Sequence, residues 1–187
     1  MNNKSLYLSS GLFIIGLIFG IGVGYYLTPQ YQTSMYEKNA MTLGRADRTF
    51  DLRYVNTMIS HHRGAILLAE QLQKNTVRPE LKVLAEEILK NEPVAIAELY
   101  AWKKEWYGDT RTVRDPFVAN LGGADEKFDL RFLNAIIAHH EAGIEMTKET
   151  RLKASRVEVL NNADAVEAFL NNGLNILKVA RQSWYNI

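Results

Sequence analysis

FDLRYVNTMISHH, residues 50–62, and FDLRFLNAIIAHH, residues 128–140, decide how this chain is read. Eight of the thirteen positions are identical, and Tyr/Phe, Val/Leu and Met/Ile exchanges account for three of the other five. The spacing between the copies is 78 residues, and it holds beyond the motif: Trp106-Tyr107 returns as Trp184-Tyr185, and Asp47 returns as Asp125. A constant offset with no net insertion marks a duplicated structural unit. All four histidines of the 187-residue chain fall in the two His-His pairs.

From about residue 45 onward apolar residues recur every three or four positions, without strand-like alternation. The spacing predicts helices over about residues 45–74, 79–107, 124–150 and 156–185. Pro79 fits the first turn of the second helix, where a missing N–H costs nothing, and Pro93 inside that helix predicts a kink. A single helical hairpin cannot bury its apolar faces alone, so two copies predict an all-α fold, a ferritin-like four-helix bundle with a pseudo-twofold axis. Between the copies runs GDTRTVRDPFVANLGG, residues 108–123, where Asp115-Pro116 and the terminal glycines exclude a helix. Sixteen residues extend roughly 50 Å, enough to follow a helix of about 28 residues end to end. A crossover, which makes the first and third helices antiparallel, is expected over an up-down-up-down return, which would make them parallel, because the connector is longer than a tight return needs.

Composition narrows the function classes. With 47% apolar residues, 23% charged residues and a net charge of +1, the chain offers no basic field for nucleic acid. It has no cysteine, which removes disulfides, thiolate metal ligands and cysteine nucleophiles. Residues 5–27, SLYLSSGLFIIGLIFGIGVGYYL, carry no charge over 23 positions, long enough to cross a hydrocarbon core of ~30 Å as a helix. Lys4 before this stretch favours a cytoplasmic N-terminus and an exported remainder, periplasmic or extracellular. A cleaved signal sequence is the rival, although its apolar region is usually shorter and ends in an A-x-A-like site. The resulting division is an anchor or signal at 1–28, a linker at 29–44, and a bundle at 45–187 with repeats at about 45–108 and 123–186.

At about 100° per residue, Asp51, Tyr54, Val55, Met58, His61, His62, Ala65, Ala69 and Leu72 share one face of the first helix. The matching face of the third holds Asp129, Phe132, Leu133, Ile136, His139, His140, Gly143 and Thr147, with Met146 at its edge. Four imidazoles thus converge on one interior, where each ring nitrogen needs a partner and a metal ion satisfies several at once. Imidazole suits copper, zinc, nickel and iron, and the thioethers of Met58 and Met146 move the preference toward copper. With the twofold placed near Asn56 and Asn134, Asp51 is expected level with His139 and Asp129 level with His61, each carboxylate orienting a ring through its second nitrogen. Singly, an inward histidine or methionine is ordinary core packing. The duplication of the pairs weighs against that reading here. Asp47 and Asp125 read as first-turn carboxylates, and the Trp-Tyr pairs as packing at the bundle ends.

The pattern Asp51-x-x-Tyr54-x-x-x-Met58-x-x-His61-His62-x-Gly64-Ala65-Ile66, its copy at 129–147 and the segment LAEEI…AWKKEWYG resemble the domain-of-unknown-function family 305 over about residues 45–186. The resemblance implies an exported ferritin-like four-helix domain, of which some members are periplasmic copper-binding proteins using His and Met. The family usually carries a methionine before each His-His pair and another six or seven residues after it. Here Leu68 replaces the later one in the first copy and Ile136 the earlier one in the second, so each copy keeps one sulfur. The family's Gln-x-x-Glu-Ile pattern in the second helix reads Asn91-x-x-x-Ala95-Ile96.

Together these readings point to a membrane-anchored, exported metal-binding protein. Its ligands would be His61, His62, His139, His140, Met58 and Met146, supported by Asp51 and Asp129, and its metal copper, with another transition metal as the alternative. A non-metal helical interaction module is the competing reading. A diiron oxidase needs Glu-x-x-His motifs, and Met58, Ile59, Ile136 and Ile137 stand where those glutamates would be. No enzyme activity is therefore expected. The partners are a metal ion and, through the N-terminal helix, a membrane, with no nucleic acid; homo-oligomer formation stays open.

Overall fold

Four helices account for the regular structure of residues 42–187, the part of the chain that the computed structural model describes. They are α1 (Phe50–Asn75), α2 (Pro79–Tyr107), α3 (Phe128–Lys153) and α4 (Val157–Tyr185), and no strand occurs among the described residues. The apolar stretch at 5–27 lies outside them, and within them no helix is long and apolar enough to cross a membrane. α1 and α3 each have 26 residues, α2 and α4 each 29, and every boundary repeats at the 78-residue offset. The duplication read from the sequence is thus a duplication of helical hairpins. α2 runs unbroken through Pro93.

α1 and α3 begin four to five residues later than expected because a folded turn precedes each. Gly44 and Gly122 take φ +80°, a left-handed backbone that disfavours any side chain. Leu43 and Leu121 just before them are buried, and Arg53 and Arg131 reach back with Nε to donate 2.6 Å hydrogen bonds to the Leu43 and Leu121 carbonyls. Asp47 and Asp125 belong to these turns rather than to the helices, each accepting a 2.8 Å bond from the amide two residues on.

α2 packs on α1 and α4 on α3, while α1 and α3 form the central pair. Thirteen residues of α1 and fourteen of α3 are buried, against six each in α2 and α4. Being central widens the buried face of α1, so Phe50, Ile59, Ile66 and Leu68 join the predicted arc.

The central pair is antiparallel. Asp51 at the start of α1 bonds to Ser155 and Arg156 beyond the end of α3, and Arg78 beyond the end of α1 pairs with Asp129 at the start of α3, 3.2 Å away. The connector follows α1 between these ends: Val113 N donates to Tyr100 Oη, Asp115 takes a two-pronged bond from Arg63, and Gln71 bonds to Ala119 and Leu121. The expected crossover is present. The halves also clasp reciprocally at the two ends, with Arg156 4.4 Å from the centre of the Trp106 ring and Arg78 4.4 Å from that of Trp184.

Candidate metal centre

Between two apolar clusters the four histidines form one layer. One cluster holds Phe50, Tyr54, Met58, Met146 and Val159; the other holds Leu68, Phe132, Ile136 and Leu177. The His61 and His139 rings stack face to face, centroids 3.8 Å apart and planes 6° from parallel. His62 lies 6.1 Å from His61, and His140 6.0 Å from His139, both edge-on at 65°. The order across the layer is His62, His61, His139, His140. The four rings of the two pairs are therefore neighbours in one layer.

Two glycines make room for it. A Cβ at Gly143 would stand 2.7 Å from His61 Cε1 and 2.5 Å from Leu170 Cδ1, and one at Gly173 would stand 2.8 Å from His140 Nε2. A mid-helix glycine costs about 1 kcal/mol relative to alanine, a cost offset here by ring packing.

His61 and His139 are 2% exposed and His140 is 9% exposed. Burial first, and neighbouring rings second, hold His61 and His139 well below the ordinary value of 6.5. Burial also lowers His140 to about 4, although its bond to Ile136 and the nearby Glu92 charge act upward. At neutral pH the stacked rings are thus uncharged.

His140 Nδ1 donates to the Ile136 carbonyl at 2.9 Å, which leaves Nε2 as the bare lone pair beside Gly173. His62 Nδ1 hydrogen-bonds to Glu92 Oε2 of α2, both side chains half-buried. His61 Nδ1 is buried with no hydrogen-bond partner. Glu92 is the residue that sequence reasoning missed. Its signal was the asymmetry of the repeat, since the equivalent position is Leu170.

Met58 and Met146 are buried in the same cluster, and their repeat equivalents, Ile136 and Leu68, lie in the opposite one. Each copy contributes one sulfur, and both sulfurs fall on the same side of the imidazole layer.

The expected roles of Asp51 and Asp129 are corrected. The twofold passes between His61 and His139, so Asp51 lies about 15 Å along the helix axis from the layer. Its carboxylate, 3% exposed, accepts the Ser155 amide at 3.1 Å, the Ser155 hydroxyl at 2.6 Å and the Arg156 amide at 3.1 Å, and so caps the start of α4. Asp129 stands at the equivalent start of α2, but Val77 replaces Ser155 there, and Asp129 Oδ1 is left buried without a partner. Asp51→Ala is expected to cost roughly 1–3 kcal/mol in urea denaturation by stranding buried donors. Asp129→Ala is expected to cost less.

Among the described residues no three side chains drawn from His, Asp and Glu gather into a ready metal cluster. The donors that do meet are imidazoles, and the thioethers of Met58 and Met146 lie in the apolar cluster on one side of them. The unpartnered His61 Nδ1 and the unprotonated Nε2 of His140 fit a soft or borderline transition-metal ion.

Comparison with known proteins agrees with this chemistry. Structural neighbours include CopM in the Cu(I)-bound form and in the Ag-bound form obtained by co-crystallization, both at 26% identity and TM-score 0.64, covering 72% of this chain and 97% of that one. CopM in the Cu(II)-bound form matches at 25% identity and TM-score 0.61, with the same coverage. Comparison with curated proteins gives no match. The family model described as Domain of unknown function (DUF305) matches residues 51–116, which span α1, α2 and half of the connector. That match lies on the first hairpin, and α3 and α4 repeat the same hairpin at the 78-residue offset.

Proposed function

We propose that this chain is an exported, membrane-anchored protein that binds copper in the layer between α1 and α3, for sequestration, resistance or homeostasis. The observation that carries the reading is the buried His61–His139 stack that joins the two His-His pairs, with Met58 and Met146, one from each copy, in the apolar cluster on one side of it. Thioether and imidazole together suit Cu(I) and Ag(I), and the similar CopM is known in Cu(I)-, Cu(II)- and Ag-bound forms. The uncharged stretch at 5–27 supports the anchor and the export. Binding rather than catalysis is the activity proposed, because no Glu-x-x-His motif precedes the histidines.

Titration of the full chain in detergent micelles with Ag(I), Cu(I), Cu(II) and Zn(II) tests this. Replacing His61 and His62 together, or His139 and His140 together, by alanine is expected to weaken Cu(I) and Ag(I) binding at least ~100-fold, about 2.8 kcal/mol. Circular dichroism checks that the variants fold. Wild-type binding no tighter than either variant would overturn the proposal. A second reading, the metal-free structural module, is favoured by the bonds His62–Glu92 and His140–Ile136, and that same outcome would support it.

A further inference from the structure

The two His-His pairs are nearly identical in sequence, yet their outer rings are held differently. His140 is fixed by a carbonyl of its own helix, Ile136. His62 is fixed across the hairpin by a carboxylate, Glu92, with 13% and 16% of the two side chains exposed. Where Glu92 has its repeat equivalent, Leu170 turns hydrocarbon toward Gly143 and the interior. His62 therefore meets an acid, while the repeat-equivalent position offers only hydrocarbon, packed beside Gly143 and His61. The thioethers sit to one side of the layer's centre.

An ionised carboxylate can only accept a hydrogen bond, so it places the His62 proton on Nδ1 and leaves Nε2 as the ligating atom. A carboxylate on the second nitrogen also orients the ring and raises its basicity as a ligand. Its negative charge favours an ion of charge two over an ion of charge one, because the Coulomb energy doubles at the same distance. Neither effect is available at Leu170.

Resting on the metal-binding reading above, we infer that Glu92 is a positioning residue that holds His62 with Nε2 free and makes that end of the layer selective for divalent copper over monovalent ions. The thioether side serves the monovalent soft ion, and the Glu92 end the divalent one. The duplication has thereby diverged into a centre that takes both charge states.

With only four histidines, selective ¹⁵N-His labelling of the full chain in micelles reads each ring separately. In the metal-free wild type His62 is expected as the Nδ1–H tautomer, a state kept in Glu92→Gln, whose amide oxygen still accepts, and lost in Glu92→Leu. Cu(II) affinity is expected to fall about 10–100-fold in Glu92→Leu, with a changed Cu(II) electron paramagnetic resonance spectrum, and less in Glu92→Gln. Ag(I) affinity is expected to fall less than that of Cu(II), because an ion of charge one loses half the Coulomb energy. A wild-type His62 in the Nε2–H form, or equal losses for Ag(I) and Cu(II), overturns the inference and leaves metal binding standing. Wild-type protein that binds neither ion overturns the metal-binding reading, and the selectivity with it.

Discussion

Metal-free protein is expected to lose several kcal/mol of stability as the pH falls from 6.5 to about 4. His61, His139 and His140 are held below the ordinary value of 6.5 chiefly by burial, so between those limits the unfolded chain binds protons that the folded chain refuses. The stabilisation is complete above 6.5, where neither state is protonated, and is lost as the pH drops toward the folded values. His140 alone, moved from 6.5 to about 4, corresponds to about 3 kcal/mol at 1.36 kcal/mol per pH unit. That is a large share of the 5–15 kcal/mol typical of a domain. Asp47, Asp115 and Asp125 are also held low, by hydrogen bonds from Arg53, Arg63 and Arg131, but they start from 3.8 and act below this window. Glu98, raised by burial, acts in the opposite sense as a single group. Urea denaturation at pH 7.5, 6.5, 5.5 and 4.5 measures the effect, and a His140→Gln variant is expected to flatten the slope by up to one proton. A wild-type stability that is level from pH 7.5 to 5 would mean that the rings are not buried as the layer requires.

The double variant Met58→Ile, Met146→Leu is expected to separate stability from metal preference. It installs the pair that the repeat already places on the opposite side of the layer, Ile136 and Leu68, so shape and volume are close to conserved. Swaps of this kind usually cost less than about 1.5 kcal/mol. Both thioethers are lost, however, and with them the soft donors of that apolar cluster. Affinity for Ag(I) and Cu(I) is expected to fall at least ~100-fold, about 2.8 kcal/mol, while Zn(II), which imidazole alone satisfies, changes little. The reverse exchange, Ile136→Met with Leu68→Met, is expected to add soft-ion capacity on the other side. Calorimetric titration with the three ions, alongside thermal melts, reads both quantities. Equal losses for Ag(I) and Zn(II) would show that the methionines act only as packing.

Much of this centre was legible before any coordinates. The 78-residue offset named the duplication, and each helix boundary of one copy recurs in the other. The three-and-four spacing put Tyr54, Val55, Met58 and His61 on one buried face, where the fold holds them. Glu92 was not legible, because it lies on a largely exposed flank of α2 and meets His62 only when the hairpin closes.

What the sequence determined by itself is rotation: periodicity states which side of each helix a residue faces, and identity between copies states that the faces match. Through the length of the connector it also allowed and favoured the antiparallel sense of α1 and α3, over a short return that would have made them parallel. What only the tertiary structure decided is translation, the sliding of one helix along the other. Periodicity carries no information about that shift, because every position along an apolar face looks alike to it. Close packing settles it, with the His61 ring seated on Gly143 and the His140 ring on Gly173. That register stacked His61 on His139, sent Asp51 to the start of α4, and brought two methionines from different copies to one side of the same layer.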